Sequence, residues 1–557
     1  MIALRRFALL ACAAACLPTP SLQAQQSSAM SASHVQNAPV VNAPVGMLQG
    51  TVEGDLKVFR GVPYAEPPVG ALRWHAPKPM ARWDGVRRAT AFGPACYQPD
   101  AKLNNIYANG PMPMSEDCLT LNIWAPKDAH NAPVFFWIYG GALWGGASRD
   151  PLYDGRKLAE RGVIVVSINY RLGALGWLAH PGLSAENPQG LSGNYGLLDQ
   201  VAALKWVRQN IGAFGGDPSN VTIAGESAGG LSVMYLMASP LARGLFAKAI
   251  AQSAYMISTP ELKKAAYGSP SAEQSGERLA AALHAPDIAA LRAMDARTLT
   301  NAASAAGFPP FGAVDGYALT DQLVTTFDKG EQAPVPILAG FNSGEIRSLR
   351  VLAPPVPANA ADYERVIHER YGDLADDFLK LYPASDMAES ILATTRDALY
   401  GWTTERLVAK QTALGRPSYL YLFDHGYPAA DGAGLHGFHA SELPFVFGTF
   451  DGTPPLWPKV PATPEEAALS DTMIDYWTSF ARTGRPEAPN APAWSSFATA
   501  GNYMHFADRP EPARNLMPGM YAFNEQVVCR RKAEGSLAWN WNVGLASPKL
   551  PPKAALC

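Results

Sequence analysis

The chain has 557 residues, 48% of them hydrophobic and 10% aromatic, and a formal net charge of −3. That composition is too apolar for a disordered chain and ample for a large core. A near-neutral balance with no basic stripe leaves no electrostatic footprint for nucleic acid, so none is expected as a partner.

At the N-terminus, Arg5 and Arg6 precede an apolar run over residues 7–17, and Leu22-Gln23-Ala24 supplies a small-residue cleavage site. This pattern predicts an export signal over residues 1–24, and hence a secreted or periplasmic protein. The run is too short to span a bilayer, and no later stretch is long and apolar enough to do so. It also continues past Cys12, which argues against a lipidated cysteine there. Residues 25–45, rich in Ser, Ala, Asn and Gln, read as a mobile leader. No linker-like break follows, so residues 46–557 are expected to form a single domain.

Apolar runs of strand length then alternate with helical patterns. Runs over 133–138, 163–169, 221–225, 336–340 and 418–423 are continuous and short, the mark of strands buried on both faces. Between the second and third, Leu197, Val201, Leu204, Val207 and Ile211 recur every three or four positions and predict a helix over 196–214. The stretches 258–305, 360–411 and 464–481 are helical in pattern and are expected to form caps or outer helices. Strand–helix–strand alternation implies an α/β fold: a mostly parallel central sheet with helices on both faces.

The sharpest chemical signal is Gly225-Glu226-Ser227-Ala228-Gly229, directly after the 221–225 strand and before a helical pattern at 231–237. A serine on a strand-to-helix turn needs small neighbours, because the backbone there is strained and closely approached. The turn also puts Ser227 at a helix N-terminus, which favours developing negative charge. A serine hydroxyl needs a base and an oriented third group to act as a nucleophile. It also needs backbone donors for the oxyanion. Tyr139-Gly140-Gly141-Ala142 follows the 133–138 strand, so the N–H groups of Gly141 and Ala142 are candidate donors beside that of Ala228.

Several further segments occur in one order: Gly61-Val62-Pro63-Tyr64-Ala65-Glu66-Pro67-Pro68, Ser115-Glu116-Asp117-Cys118-Leu119, Asn169-Tyr170-Arg171, Gly193-Asn194-Tyr195-Gly196, and Phe214-Gly215-Gly216-Asp217-Pro218. With the serine turn, these make the chain resemble the type-B carboxylesterase/cholinesterase family of α/β-hydrolases over roughly residues 45–506. The resemblance implies an α/β-hydrolase fold with helical insertions around the active site. It also implies a triad in the order serine, acid, histidine. Gly340-Phe341-Asn342-Ser343-Gly344-Glu345 resembles the acid segment, making Glu345 the acid. His439-Ala440-Ser441-Glu442-Leu443-Pro444 resembles the histidine segment, making His439 the base, with His436 as its rival. Glu226 and Ser253 are expected to support the triad from behind. By the same resemblance Arg73 pairs with Glu116 and Arg171 with Asp199, and Asp315 is structural.

Without the signal, four cysteines remain: Cys96, Cys118, Cys529 and Cys557. An even count in an exported chain implies two disulfides, with three pairings open. Locality favours Cys96–Cys118 and Cys529–Cys557, and the resemblance implies the first. Two departures from the family stand out. Many members have Gly-Gly-Gly-Phe where this chain has Gly140-Gly141-Ala142-Leu143. The Cys96–Cys118 segment has Tyr97 and Tyr107 but no tryptophan for cation–π binding of a quaternary ammonium, so a choline ester is not the expected substrate. Neither a metal-ligand motif nor a P-loop occurs, and no cofactor or metal is expected.

The expected activity is hydrolysis of a small-molecule carboxylic ester through an acyl-enzyme. An amidase or carbamate hydrolase on the same triad is the nearest rival. A non-catalytic binding protein on this fold would have lost a triad residue, and all three are present.

Overall fold

A computed structural model describes residues 38–100, 105–498 and 500–557. The expected export signal and residues 25–37 of the expected leader lie outside them. Eleven strands form one sheet: β1 (Thr51–Glu53), β2 (Leu56–Pro63), β3 (Thr120–Pro126), β4 (Ala132–Ile138), β5 (Ile164–Ile168), β6 (Gly216–Glu226), β7 (Lys248–Gln252), β8 (Ile337–Asn342), β9 (Ser418–Phe423), β10 (Asn502–Phe506) and β11 (Pro510–Arg514). Their spatial order is β11-β10-β9-β8-β7-β6-β4-β5-β3-β2-β1. The run from β10 to β5 is parallel throughout, and antiparallel pairs complete both edges. Every residue of β4, β5, β7, β8 and β9 is buried. Successive side chains point to opposite sides of a strand, so the sheet is covered on both faces, as its uninterrupted apolar runs predict.

Strand β9 falls on the predicted residues, and the 196–214 pattern becomes α1 (Tyr195–Asn210) followed by a 3₁₀ turn at Ile211–Phe214. Helix α2 (Ala228–Ala238) packs on β6 and β7, and its Ser232 Oγ accepts a 3.0 Å bond from Gln200 of α1. The 258–305 stretch is not helical from its start. Helix begins at Ala272, where Ser271 and Gln274 form a reciprocal cap, and two further helices follow at Ile288–Ala293 and Ala296–Ala305. These three pack with Trp74, Leu175 and Phe308 in an apolar cluster of their own.

The expected leader needs correction at its end. Val40–Ala43 is a strand paired antiparallel with Gly46–Gln49. It is pinned further by Val45 N–H on Asn210 Oδ1 at 3.0 Å. Backbone pairing and that bond order a segment whose composition alone gave no signal. Both expected disulfides form, Cys96–Cys118 and Cys529–Cys557. Among the described residues no helix is long and apolar enough to cross a membrane.

Candidate active site

The carboxyl ends of β4, β6, β8 and the segment after β9 meet at one place. Strand β6 ends at Glu226, α2 begins at Ala228, and Ser227 between them has φ 57° and ψ −119°. A non-glycine residue held there is strained, and the surroundings over-determine it. Ser227 N–H donates to Gln252 O at 2.9 Å, and Ser227 O accepts from Leu231 at 2.9 Å. The flanking glycines are needed for close approach. A Cβ on Gly229 would lie 2.1 Å from Ile138 O, and one on Gly225 would lie 2.5 Å from Gly229 O. Only without those atoms can α2 start this close to β4.

The glycine loop after β4 lies against the same turn. A Cβ on Gly140 would sit 2.7 Å from Glu226 O and 3.1 Å from Ser227 Cβ. Gly141, at φ 106°, takes a conformation that side chains disfavour, and Ala142 and Leu143 follow at 55° and 59°. Gly141 O accepts from both Trp144 and Gly145 N–H at 3.0 Å. Among the described residues nothing accepts from the N–H of Gly141 or Ala142. Ala228 opens α2, where the first N–H groups have no partner within the helix. The three predicted donors therefore belong to two segments in contact beside Ser227.

His439 is 5% exposed, and its Nδ1 is hydrogen-bonded to Oε2 of the fully buried Glu345. A carboxylate only accepts, so this bond keeps a proton on Nδ1 and turns Nε2 to the serine turn. Glu345 Oε1 accepts from Asn342 N–H at 2.9 Å. The loop carrying the histidine is tied down by Asn342 Nδ2, which donates to Phe438 O at 2.8 Å. The rival His436 stands apart, 43% exposed at its side chain, paired with Asp431 and Asp424.

His439 Nε2 lies 3.1 Å from Glu226 Oε1, yet that oxygen has no hydrogen-bond partner. The two atoms are close but out of line. Among the described residues no hydrogen bond joins His439 to Ser227 Oγ. A third buried carboxylate, Glu442, was not singled out from sequence. Its Oε1 accepts from Gln252 Nε2 at 2.9 Å and its Oε2 from Asn342 Nδ2 at 2.6 Å. The readable hint was an acidic residue heading the apolar run Leu443-Pro444-Phe445-Val446-Phe447.

Burial pushes Glu226 up to about 8, with the Glu442 and Glu345 charges adding to that and the imidazole opposing it. For His439, burial works downward, but the carboxylates of Glu226, Glu345 and Glu442 outweigh it and push the imidazole up to about 9. Burial also raises Glu442, against the bond from Asn342.

Of the residues expected behind the triad, Glu226 touches the imidazole. Ser253 is fully buried at φ 44° and its N–H donates to Gly340 O at 2.8 Å, but its Oγ has no hydrogen-bond partner. Arg73 grips Glu116 at 2.7 and 2.6 Å, and Arg171 grips Asp199 at 2.8 and 2.7 Å. Asp315 caps a turn through the N–H groups of Tyr317, Ala318 and Leu319. Among the described residues no cluster of His, Cys, Asp or Glu could hold a metal ion. A cavity of about 570 Å³, lined by Trp74, Tyr195 and Trp206, lies apart from Ser227, Glu345 and His439 and includes none of them.

The sequence pattern of the carboxylesterase family matches residues 37–523. The chain belongs to the carboxylesterase family. The esterase is 38% identical over 491 residues to fumonisin B1 esterase of Sphingopyxis macrogoltabida, covering 83% of this chain and 85% of that protein. It is also 38% identical over 472 residues to para-nitrobenzyl esterase of Bacillus subtilis (strain 168), covering 82% and 92%. A solved PNB esterase structure superposes with a TM-score of 0.76 at 34% identity, covering 87% of this chain and 99% of the other. The carboxylesterase fold is the α/β-hydrolase fold, and the enzyme is a carboxylic-ester hydrolase.

Proposed function

We propose that this carboxylesterase works by two-step acyl transfer with Ser227 as nucleophile, His439 as base and Glu345 as the acid that orients it. The observation carrying this reading is the ring of His439, bound through Nδ1 to Glu345 with Nε2 turned to the strained turn that holds Ser227. In the first step Nε2 takes the Ser227 proton and Oγ attacks the ester carbonyl. The tetrahedral oxygen is received by the N–H groups of Gly141, Ala142 and Ala228. The alcohol departs with the proton from His439. Water then repeats the sequence on the acyl-enzyme and restores Ser227. Glu345 holds the tautomer and stabilises the imidazolium.

The substrate is a small-molecule ester, and the Cys96–Cys118 segment offers no indole to hold a choline group. Export is part of the proposal. It is supported by the N-terminal pattern and by two disulfides, which persist in oxidising compartments. Recovery of the protein outside the cytoplasm with Gln25 as its first residue is the expected result.

The test is hydrolysis of short and medium-chain p-nitrophenyl esters by the mature protein beside Ser227→Ala, with folding followed by circular dichroism. Activity lost in a folded Ser227→Ala supports the assignment, and equal rates in both proteins would refute it.

A further inference from the structure

We propose that Gln98 and Tyr107, both carried by the segment that the Cys96–Cys118 disulfide closes, are positioning residues. Gln98 holds the oxyanion loop and Tyr107 holds the histidine loop. The inference rests on the Ser227–His439–Glu345 reading and deepens it.

Gln98 makes a two-point contact with a single residue. Its Oε1 accepts from Gly146 N–H and its Nε2 donates to Gly146 O, both at 3.0 Å. Satisfying both backbone groups of one residue fixes its place and its orientation. Gly146 in turn packs back on the start of the loop: a Cβ there would lie 2.4 Å from Tyr139 Cδ2 and 2.7 Å from Gly140 O. The bonds from Trp144 and Gly145 to Gly141 O close the turn between them. Gln98 therefore anchors the far end of the loop whose near end presents Gly141 and Ala142.

Tyr107 acts on the other half of the site. Its hydroxyl donates to His439 O at 3.1 Å and shares a 2.7 Å hydrogen bond with Ser348 Oγ. Ser348 ends the short helix Glu345–Ser348, so one phenol joins the backbone of the base to the turn that begins with the acid. The Tyr107 ring stands edge-on to His439 at 6.4 Å and to Trp457 at 5.7 Å. Burial, with the nearby carboxylates, raises the phenol well above its ordinary value, so it remains a donor through the working pH range.

A common support explains why both contacts come from one segment. Its ends are joined by the disulfide and by the parallel pairing of Ala95–Cys96 with Met114–Ser115. Donors and base must keep their relative placement to within a fraction of an ångström, and each is anchored by a residue of this one disulfide-closed segment.

The test measures phosphonylation of Ser227 by a fluorophosphonate across pH, beside kcat and KM on p-nitrophenyl butyrate, for wild type, Ser227→Ala, Gln98→Ala and Tyr107→Phe. In Gln98→Ala, kcat and the phosphonylation rate are expected to fall together by about tenfold or more, with KM nearly constant and the pH profile unchanged, because the lost amide is neutral. In Tyr107→Phe the acid limb of the profile shifts, because the imidazole moves relative to its carboxylates. Gln98→Met, which keeps the side-chain length, gives the same reading if Gln98→Ala fails to fold. Wild-type rates and pH profiles in folded variants, with Ser227→Ala unlabelled, overturn the positioning roles alone. A wild type that is not labelled at Ser227 overturns the triad reading and this proposal with it.

Discussion

Glu226 Oε1 and His439 Nε2 lie 3.1 Å apart without a hydrogen bond between them. The carboxylate thus acts on the imidazole through its field, from the turn that also holds Ser227. Glu345 binds the opposite nitrogen, so the ring sits between two buried acids.

On the proposed mechanism, with His439 as the base, this arrangement sets the pH dependence of the reaction. His439 pushed up to about 9 and Glu226 to about 8 both mean that the site holds its protons into the alkaline range. The base is active when neutral, so kcat/KM should rise with pH past the ordinary histidine value of ~6.5. Glu226→Gln removes a negative charge facing the ring. Its acid limb should therefore move to lower pH, by about one unit, in a pH–rate series.

Stability should run the other way. With both pKa values raised on folding, the native state binds more protons than the unfolded chain between about 4.5 and 8 for Glu226, and between about 6.5 and 9 for His439. The His439 contribution is full below 6.5 and is lost as pH rises through about 9. The Glu226 contribution is lost as pH rises through about 8. Thermal unfolding from pH 5 to 9 should show a falling Tm, and the fall should be shallower in Glu226→Gln.

The Arg171–Asp199 pair is a separate test of the frame under the site. The side chains are 5% and 0% exposed, and Arg171 donates from both its backbone N–H and its guanidinium. Arg171→Met strands a buried carboxylate, and a loss of about 3–5 kcal/mol is expected in urea unfolding. Replacing both residues by apolar ones should cost less than the single change.

Gly229→Ala tests the tight turn. The added carbon would be forced to 2.1 Å from Ile138 O, a backbone atom that cannot move aside. The expected outcome is a loss of about 3 kcal/mol or more, with activity falling in step, read from denaturant curves and initial rates. Ala142→Gly, by contrast, removes no donor and relaxes a left-handed alanine. It should retain kcat on short acyl esters to within about threefold.

What could be read beforehand followed physical signal strength. Strand β9 was legible because Tyr419 to Phe423 are all large and apolar. Strand β7, Lys248–Gln252, was not singled out, since its alanines and polar ends carry no strand preference and its burial comes from the neighbours β6 and β8. Strand β3 hid behind Asn122, a buried amide whose side chain donates to Ser148 and Ser167 across the structure. The Ser227 turn and its glycines were legible because close approach leaves a compositional trace. Glu442, Gln98 and the Tyr107 hydroxyl were not assigned roles, because their partners lie far along the chain, as with Gln252 and Glu442, 190 residues apart.

The most direct test of the mechanism is to quench the mature enzyme during turnover of a p-nitrophenyl ester and map the acylated peptide by mass spectrometry. The mechanism predicts the acyl group on Ser227, with deacylation slowed when His439 is changed to Ala. An acyl group on any other residue, or turnover with no acylated protein under conditions where acylation outruns hydrolysis, would contradict it.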